Sequence, residues 1–248
     1  MAPVGRRQHW ESIYRTKPED ELSWHQEEPT LSLRLIREVA TPESRIIDIG
    51  GGSSPLAARL SEQGFRRVTV VDIADAAVRR SRTRARAHAR NICWIRADVT
   101  KAPRLGRFDV WHDRAVFHFL TDSRDRRAYV DLARRTVPVG GHLVLATFAL
   151  DGPEKCSGLD VVRYDDRTLN AEFAAGFELR RKVRESHRTP WGTRQPFTYV
   201  VFRRVRAGLR HSPRGSRLPS RKGQEPPAHR DTKEEGIGHA VDKRHRSP

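Results

Sequence analysis

The stretch IIDIGGGSSPLAARL, residues 46–60, decides the fold of this 248-residue chain. Its apolar start predicts a β-strand that ends at Asp48, and the apolar spacing after the turn predicts a helix. Between them, Gly50, Gly51 and Gly52 allow the backbone to turn sharply and to approach a ligand where a Cβ atom would intervene. We expect that ligand at the carboxyl end of the strand, with Asp48 contacting one of its amino groups directly or through water.

Strand-like and helix-like segments alternate on both sides of this unit. The predicted strands are 45–48, 68–72, 91–97, 108–113 and 142–150, and the predicted helices are 55–63, 74–90, 124–136 and 167–175. This alternation indicates a parallel sheet with helices on both faces, a Rossmann-like three-layer α/β sandwich. Two further strands, 178–185 and 196–204, are joined by a loop too short for a parallel crossover, so we expect them to pair antiparallel.

Two more strands end in acidic residues at the same predicted edge of the sheet. Asp72, followed by Ile73, ends the strand VTVVD and is placed to accept hydrogen bonds from both hydroxyls of a ribose. Asp98 and Val99 end NICWIRADV, where a carboxylate could meet an adenine amino group beside an apolar wall. Three strand ends that each deliver an acidic side chain to one edge predict a nucleoside site.

A dinucleotide-binding oxidoreductase is the nearest alternative for such a site. In dinucleotide folds the third glycine of the G-x-G-x-x-G pattern permits tight helix packing. Counted from Gly50, that third glycine is replaced by Pro55 in this chain. The antiparallel ending of the sheet also disfavours this alternative. A nucleoside cofactor without a pyrophosphate fits the sequence better than NAD.

The motifs found so far resemble those of class I methyltransferases: Asp48-x-Gly50-x-Gly52, Asp72, Asp98–Val99, and PVGGHLVL before the fifth strand. The resemblance covers about residues 7–204. It implies a seven-stranded sheet whose last strand is inserted antiparallel, with S-adenosylmethionine bound at the glycine-rich turn. Ser54 departs from the family pattern, in which a third glycine is usual.

The amino-terminal segment HWESIYRTKPEDELSWHQ, residues 9–26, is similar to a smaller group that includes elongation-factor lysine methyltransferases. In that group the aromatic residues matching Trp10, Tyr14 and Trp24 close over the cofactor, whose sulfonium cation is attracted to aromatic faces. We therefore expect residues 1–30 to cap the cofactor and 31–204 to form the methyltransferase domain. The alternative is that these aromatic side chains only pack the helix onto the domain.

The fourth strand runs into VWHDRAVFHFL, residues 110–120, which we expect to face the methyl acceptor. Asp113 is placed to bind the cofactor or the acceptor. Arg114 either orients an anionic acceptor or pairs with a neighbouring carboxylate. His118 is a candidate base, and the alternative is a histidine with a purely structural role.

Two later loops are long enough to form a lid at the same edge, where loops usually carry specificity. The first, residues 151–164, contains Cys156, and the second, residues 186–197, contains His187 and Trp191. We expect His187 and Trp191 to contribute to the substrate pocket. A general base is needed only if the acceptor arrives protonated, so no catalytic residue is assigned from the sequence.

The formal charge of +17 raises the alternative of an RNA or DNA methyltransferase, because basic residues neutralise phosphates. Residues 203–248 contain 13 basic and 5 acidic residues and are rich in Pro, Gly and Ser. We expect 205–248 to be a disordered basic tail. HDRA stands where methyltransferases of base amino groups carry an NPPY-like motif, so a small-molecule or protein side-chain acceptor is favoured over nucleic acid.

The remaining composition narrows the class of protein further. Cys93 and Cys156 are too few for a disulfide framework, no metal-ligand spacing occurs, and the apolar neighbours of Cys93 predict a buried core thiol. No stretch reaches the roughly 20 apolar residues of a membrane span, and the amino terminus lacks the apolar core of a secretory signal. We therefore expect a cytoplasmic enzyme without a bound metal.

Overall fold

The structure, a computed structural model, describes residues 5–206, except for the side chain at position 87. The helices of this part are α1 Arg6–Thr16, α2 Thr30–Arg37, α3 Leu56–Glu62, α4 Asp75–Ala85, α5 Ser123–Thr136 and α6 Asp166–Phe173. The strands are β1 Arg45–Ile49, β2 Arg67–Asp72, β3 Ile92–Arg96, β4 Val110–Arg114, β5 His142–Phe148, β6 Lys155–Cys156, β7 Leu159–Asp160, β8 Phe177–Arg188 and β9 Arg194–Arg204. Residues 207–248, with most of the predicted tail, lie outside the described residues.

Seven of these strands form one sheet in the order β3-β2-β1-β4-β5-β9-β8. The pairs from β3 to β5 are parallel, whereas β9 runs antiparallel to both β5 and β8. Only residues 189–193 separate β8 from β9, and so short a connection permits a hairpin but not a crossover. The mostly parallel seven-stranded sheet with an antiparallel last strand is confirmed.

Helices cover both faces of the sheet, because side chains along each buried strand alternate between two cores. On one face Ile46 packs with Ile36 of α2 and Leu60 of α3. On the other face Ile47 packs with side chains of α5 and α6, including Phe173. The predicted three-layer sandwich is confirmed, and α2 is a helix that was not predicted from the sequence.

The edge strand β3 differs from the prediction in one respect. Cys93 is exposed rather than buried, because β3 is the edge strand of the sheet and pairs with β2 alone. The helix after β2 is also shorter than expected. It ends at Ala85, where Arg86 adopts a positive φ of 38°, and the chain continues to Asn91 as a 3-10 helix.

The amino-terminal segment packs on the carboxyl edge of the sheet. Tyr14 of α1 and Leu22 form a small separate core with alanines at the start of α4. Within residues 5–206, none of the helices combines the length and apolar character needed to span a membrane.

Candidate functional site

A cleft opens at the carboxyl edge of β1–β4, beneath the amino-terminal segment. Of the residues that the sequence predicts for cofactor binding, those lining the cleft are Trp10, Tyr14, Trp24, Gly50, Asp72, Ile73, Asp98 and Val99. They come from the carboxyl ends of three neighbouring parallel strands and from the segment above them. In the structure, as expected from the strand ends, these side chains surround one cavity.

The glycine-rich turn leaves no room for side chains. Gly50 and Gly52 adopt positive φ values of 63° and 50°, which glycine tolerates best. A Cβ atom on Gly50 would lie 2.0 Å from Cγ2 of Val116, and one on Gly52 would lie 2.3 Å from the hydroxyl oxygen of Tyr14. The turn thus brings bare backbone to the floor of the cleft and directly under Tyr14.

Asp72 ends β2 as a buried carboxylate within the cleft. One of its oxygens accepts a hydrogen bond from the backbone N–H of Ala74 at 2.8 Å. Burial raises the pKa of Asp72 to about 7, and hydrogen bonds from the backbone N–H groups of Ala74, Gly52 and Ile73 oppose that rise. A carboxylate so held is a strong acceptor for ligand hydroxyls, because desolvation strengthens each hydrogen bond it makes.

Asp98 is fixed at the end of the neighbouring strand β3. Its Oδ1 atom accepts hydrogen bonds from the backbone N–H of Thr100 at 2.9 Å and from the Thr100 hydroxyl at 2.7 Å. These contacts cap the short 3-10 helix that begins at Val99. This helix N-cap holds the polar Asp98 and the apolar Val99 side by side on the cleft wall.

The roof of the cleft is aromatic. The ring of Trp24 meets those of Trp10 and Tyr14 edge to face at centroid distances of 5.7 and 6.1 Å, and Trp10 meets Phe119 at 4.9 Å. Burial raises the pKa of Tyr14 well above its ordinary value, so its hydroxyl stays neutral. We call residues 6–26, which carry this roof, the cap.

Hydrogen bonds on two sides of the cleft fasten the cap. Glu11 accepts a hydrogen bond from the backbone N–H of Ala76 at 3.1 Å. On the opposite side, Nε2 of His187 lies 2.8 Å from the carbonyl oxygen of Ser23, and Nη1 of Arg114 donates to the carbonyl oxygen of Trp24 at 3.0 Å. The cap is thus held by two consecutive peptide carbonyls as well as by its aromatic contacts.

A second, smaller pocket adjoins the cleft and shares Trp24, Gly50 and Arg114 with it. Asp48 and Gly51 line this second pocket rather than the cleft. The Oδ1 atom of Asp48 lies 2.7 Å from Nδ1 of His112, whose Nε2 lies 2.9 Å from the hydroxyl of Ser32. One carboxylate oxygen of Asp48 is therefore already paired with His112 of β4. A cofactor amino group that contacts Asp48 directly would have to lie in this second pocket.

Asp113 does not lie in the cleft, in contrast to the expectation from its position at the end of β4. Its carboxylate accepts hydrogen bonds from the backbone N–H groups of Val116 and Phe117, at 2.8 and 3.1 Å, and from the hydroxyl of Tyr129. The side chain is fully buried, and burial raises its pKa to about 7. Asp113 points toward α5 because its neighbour Arg114 takes the alternate direction along the strand.

The two predicted pocket histidines also serve other purposes. His118 is fully buried against Phe119 and Phe148, and burial lowers its pKa to about 3. His187 is buried beneath the cap at Ser23, and burial together with Arg114 lowers its pKa to about 4. Neither side chain lines the cleft.

Trp191 is the remaining predicted pocket residue that lies elsewhere. It occupies the turn between β8 and β9 and is 59% exposed. It lines neither the cleft nor the second pocket. Of the four residues predicted for the acceptor, only Arg114 reaches the cavity.

Sequence reasoning missed several residues of the cleft wall. Val116, Phe119 and Leu120 line it, whereas His118 was the residue considered in VFHFL. Arg6 and Thr100 line it as well, and their side chains are hydrogen-bonded at 3.2 Å. The apolar run after Arg114 was a usable signal, but the short 3-10 helix Phe117–Phe119 decides which of its members face inward.

Comparison with known proteins agrees with this arrangement. Residues 46–141, which include the glycine-rich turn, Asp72 and Asp98, match the model of a family described as a methyltransferase domain. Over these residues, and in its mostly parallel sheet with an antiparallel last strand, the chain resembles class I S-adenosylmethionine-dependent methyltransferases. Its cap and the β8–β9 hairpin lie outside the matched residues.

Solved methyltransferases share the fold of the whole described chain at low identity. The N-methyltransferase NodS from Bradyrhizobium japonicum, in complex with S-adenosylhomocysteine, is 18% identical with a TM-score of 0.63 over 79% of this chain and 98% of that one. The 1,6-didemethyltoxoflavin-N1-methyltransferase from Burkholderia thailandensis is also 18% identical with a TM-score of 0.63, over 80% and 87%. These likenesses concern the fold.

A curated relative gives a more distant comparison. The eEF1A lysine and N-terminal methyltransferase of Danio rerio is 23% identical over 146 residues. The aligned region is 57% of this chain but 21% of the relative. The chain therefore matches about one fifth of the length of that protein.

Proposed function

We propose that this protein transfers a methyl group from S-adenosylmethionine to a small-molecule acceptor. The observation that carries the proposal is the buried carboxylate of Asp72, which lies in one cleft with the glycine-rich turn and Asp98. A nucleoside needs a paired acceptor for its ribose hydroxyls, a polar and apolar pair for its base, and close backbone approach. These residues offer all three.

The cleft fits S-adenosylmethionine in its chemistry. Asp72 would accept from the ribose hydroxyls, and Asp98 with Val99 would hold the adenine. The aromatic rings of Trp10, Tyr14 and Trp24 would face the cation, which is attracted to such rings when water is excluded. When bound, S-adenosylmethionine supplies an electrophilic methyl group, so the protein mainly has to orient the acceptor and keep water away.

The enclosed position of the cleft favours a small acceptor over a protein side chain. The cap covers the cavity so closely that Tyr14 is only 5% exposed, and a folded protein would have to displace it. The toxoflavin methyltransferase, which shares the fold, is described with the small molecule 1,6-didemethyltoxoflavin bound. The name of the Danio rerio relative points to lysine of a protein instead, and that acceptor is the second candidate.

Calorimetry on the full-length protein tests the cofactor directly. We expect saturable binding of S-adenosylmethionine and S-adenosylhomocysteine, and no binding of NAD, which the antiparallel strand β9 and Pro55 both disfavour. Binding of NAD without binding of the two sulfur compounds would overturn the proposal. An Asp75→Ala variant is the matched control, because Asp75 lies three residues after Asp72 but pairs with Arg96 at 2.8 Å outside the cleft.

The acceptor class is tested separately with the same protein. We expect methyl transfer from labelled S-adenosylmethionine to members of a small-molecule library and none to denatured or folded elongation factor. An RNA or DNA acceptor predicts instead that oligonucleotides bind at physiological salt, because sites with base contacts retain affinity when phosphate contacts are screened. We also propose a cytoplasmic location, as predicted from the sequence.

A further inference from the structure

We call β1–β3 the cofactor half of the sheet and β4, β5, β8 and β9 the acceptor half. Within residues 5–206, Arg114 is the one charged side chain from the acceptor half that lines the cleft. It ends β4, and its side chain is 10% exposed. Its Nε donates a hydrogen bond to the hydroxyl of Tyr199 at 3.0 Å, and its Nη1 donates to the carbonyl oxygen of Trp24 at 3.0 Å. The guanidinium carbon lies 4.5 Å from the ring centre of Phe197. The side chain is therefore fixed in place by three contacts, two with β9 and one with the cap.

The third guanidinium nitrogen of Arg114, Nη2, differs from the other two nitrogens. Nη2 is buried and has no hydrogen-bond partner among residues 5–206. The nearest carboxylate, Oε2 of Glu185, is 3.9 Å from Nε and is itself buried without a hydrogen bond in the same part of the chain. A buried charged donor without an acceptor is costly, so this site is more stable with a ligand that supplies one.

The position of Arg114 separates it from the cofactor residues. Asp72 and Asp98 belong to β2 and β3, on one side of β1. Two side chains next to Arg114, Glu185 and Tyr199, belong to β8 and β9, at the opposite end of the sheet. Arg114 lines both the cleft and the second pocket, at the point where the two adjoin. It therefore lies between the cofactor cleft and the half of the sheet that is left for the acceptor.

We propose that Arg114 is the anion-binding residue of an acceptor subsite, and that the acceptor is a small molecule carrying a carboxylate. This inference rests on the proposed methyltransferase function. The planar guanidinium presents its remaining N–H groups in a geometry that matches a carboxylate. Tyr199 and the carbonyl oxygen of Trp24 hold it in place before the ligand arrives, which lowers the entropy lost on binding.

Acid and amide pairs test the subsite on protein saturated with S-adenosylhomocysteine. The probes are benzoate against benzamide and salicylate against salicylamide, followed by ligand-observed NMR. We expect at least one acid to bind about tenfold or more tightly than its amide, the scale of one charge-assisted hydrogen bond. Equal binding of acids and amides, or binding of neither acid, would overturn the inference. Saturation with S-adenosylhomocysteine shows beforehand that the proposed function itself stands.

Substitutions assign the effect to the guanidinium. Arg114→Gln should abolish the preference for acids, and Arg114→Lys should keep part of it because the charge remains. Arg126→Gln is the matched control, since Arg126 is also a partly buried, ion-paired arginine, 2.7 Å from Glu172 and away from the cleft. Thermal unfolding of each variant shows whether the fold is kept, and the lysine variant carries the test if the glutamine variant is unfolded.

Glu185→Gln provides a result that a purely structural ion pair would not give. Removing this negative charge should tighten the binding of benzoate or salicylate about threefold or more, because the anion no longer competes with Glu185 for the guanidinium. Weaker binding of the acid in this variant would contradict the proposed subsite.

The carboxylate of the cofactor is the other anion that Arg114 could hold. The two sources are separated by comparing S-adenosylhomocysteine with 5′-methylthioadenosine, which lacks the amino-acid part. We expect Arg114→Gln to change the affinities for the two compounds by the same factor, to within about threefold, because any loosening of the cap affects both nucleosides alike. A loss of ten times or more for S-adenosylhomocysteine alone would assign Arg114 to the cofactor and overturn the acceptor subsite.

Discussion

The two halves of the sheet use the same residue type for opposite purposes. In the cofactor half, Asp72 at the end of β2 is buried yet lines the cleft. In the acceptor half, Asp113 at the end of β4 is buried and faces α5, with its oxygens engaged by Val116, Phe117 and Tyr129. Burial raises the pKa of each carboxyl to about 7. An acidic strand end with a raised pKa is therefore insufficient to assign a ligand, and its hydrogen-bond partners decide.

Removal of Asp113 should have the largest effect, and on stability alone. Asp113→Ala leaves two buried N–H groups and the Tyr129 hydroxyl without their acceptor, so we expect the free energy of unfolding to fall by about 2–4 kcal/mol. Affinity for S-adenosylhomocysteine should stay within about threefold. Denaturant unfolding and calorimetry measure the two quantities. Asp131→Ala, at an exposed carboxylate of α5, should change stability by less than about 0.5 kcal/mol.

Asp72→Ala should lower the affinity for the cofactor, which Asp113→Ala leaves unchanged. We expect the binding of S-adenosylmethionine to weaken by roughly 1.5–3 kcal/mol, the value of hydrogen bonds to a charged group. Calorimetry checks the affinity, with Asp75→Ala as the unaffected control. If the affinity of the Asp72 variant were unchanged, the ribose would have to lie elsewhere and the contrast between the two halves would be lost.

His187 allows the fastening of the cap to be tested by pH. Its pKa is lowered to about 4, so the folded protein disfavours the protonated form, and the stability that the neutral ring contributes is lost as the pH falls below the ordinary value of about 6.5. Between about pH 7.5 and 5.5, the wild type should lose about 1 kcal/mol more than His187→Gln. Denaturant unfolding at the two pH values measures this, and parallel pH curves would contradict it.

Trp191→Ala should have the smallest effect. Because this side chain is 59% exposed on the β8–β9 turn and lines neither pocket, we expect stability to change by less than about 0.5 kcal/mol. Affinity for S-adenosylhomocysteine and the preference for acids over amides should also be unchanged. A lost acid preference, seen by NMR, would extend the acceptor site to this turn.

The cofactor half was predictable because its determinants are local. The strand before Asp48, the glycines after it and the acidic residue that ends β2 all lie within residues 45–72, and parallel strands bring their carboxyl ends to one edge. The direction of the Asp48 side chain was not predictable, since its partner His112 comes from β4 and is held in turn by Ser32 of α2. Contacts between such distant segments leave no periodic signal.

The acceptor half was less predictable for a geometric reason. A shift of one residue along a strand or a tight turn reverses the direction of a side chain. Asp113 and Arg114 differ by one position, as do His118 and Phe119, and in each pair only the second member lines the cleft. His187 was correctly placed near the carboxyl edge, but the cap residue Ser23 that it contacts is 164 positions away.

The attachment of the cap has a consequence for ligand exchange. The carbonyl oxygens of Ser23 and Trp24 are held by His187 and Arg114, which belong to the acceptor half, whereas the aromatic rings of the cap cover the cofactor half. Any outward movement of this segment that admits a nucleoside also breaks the hydrogen bond to Arg114. Under the proposed function, release of the cofactor and release of the acceptor would therefore be coupled through this one segment.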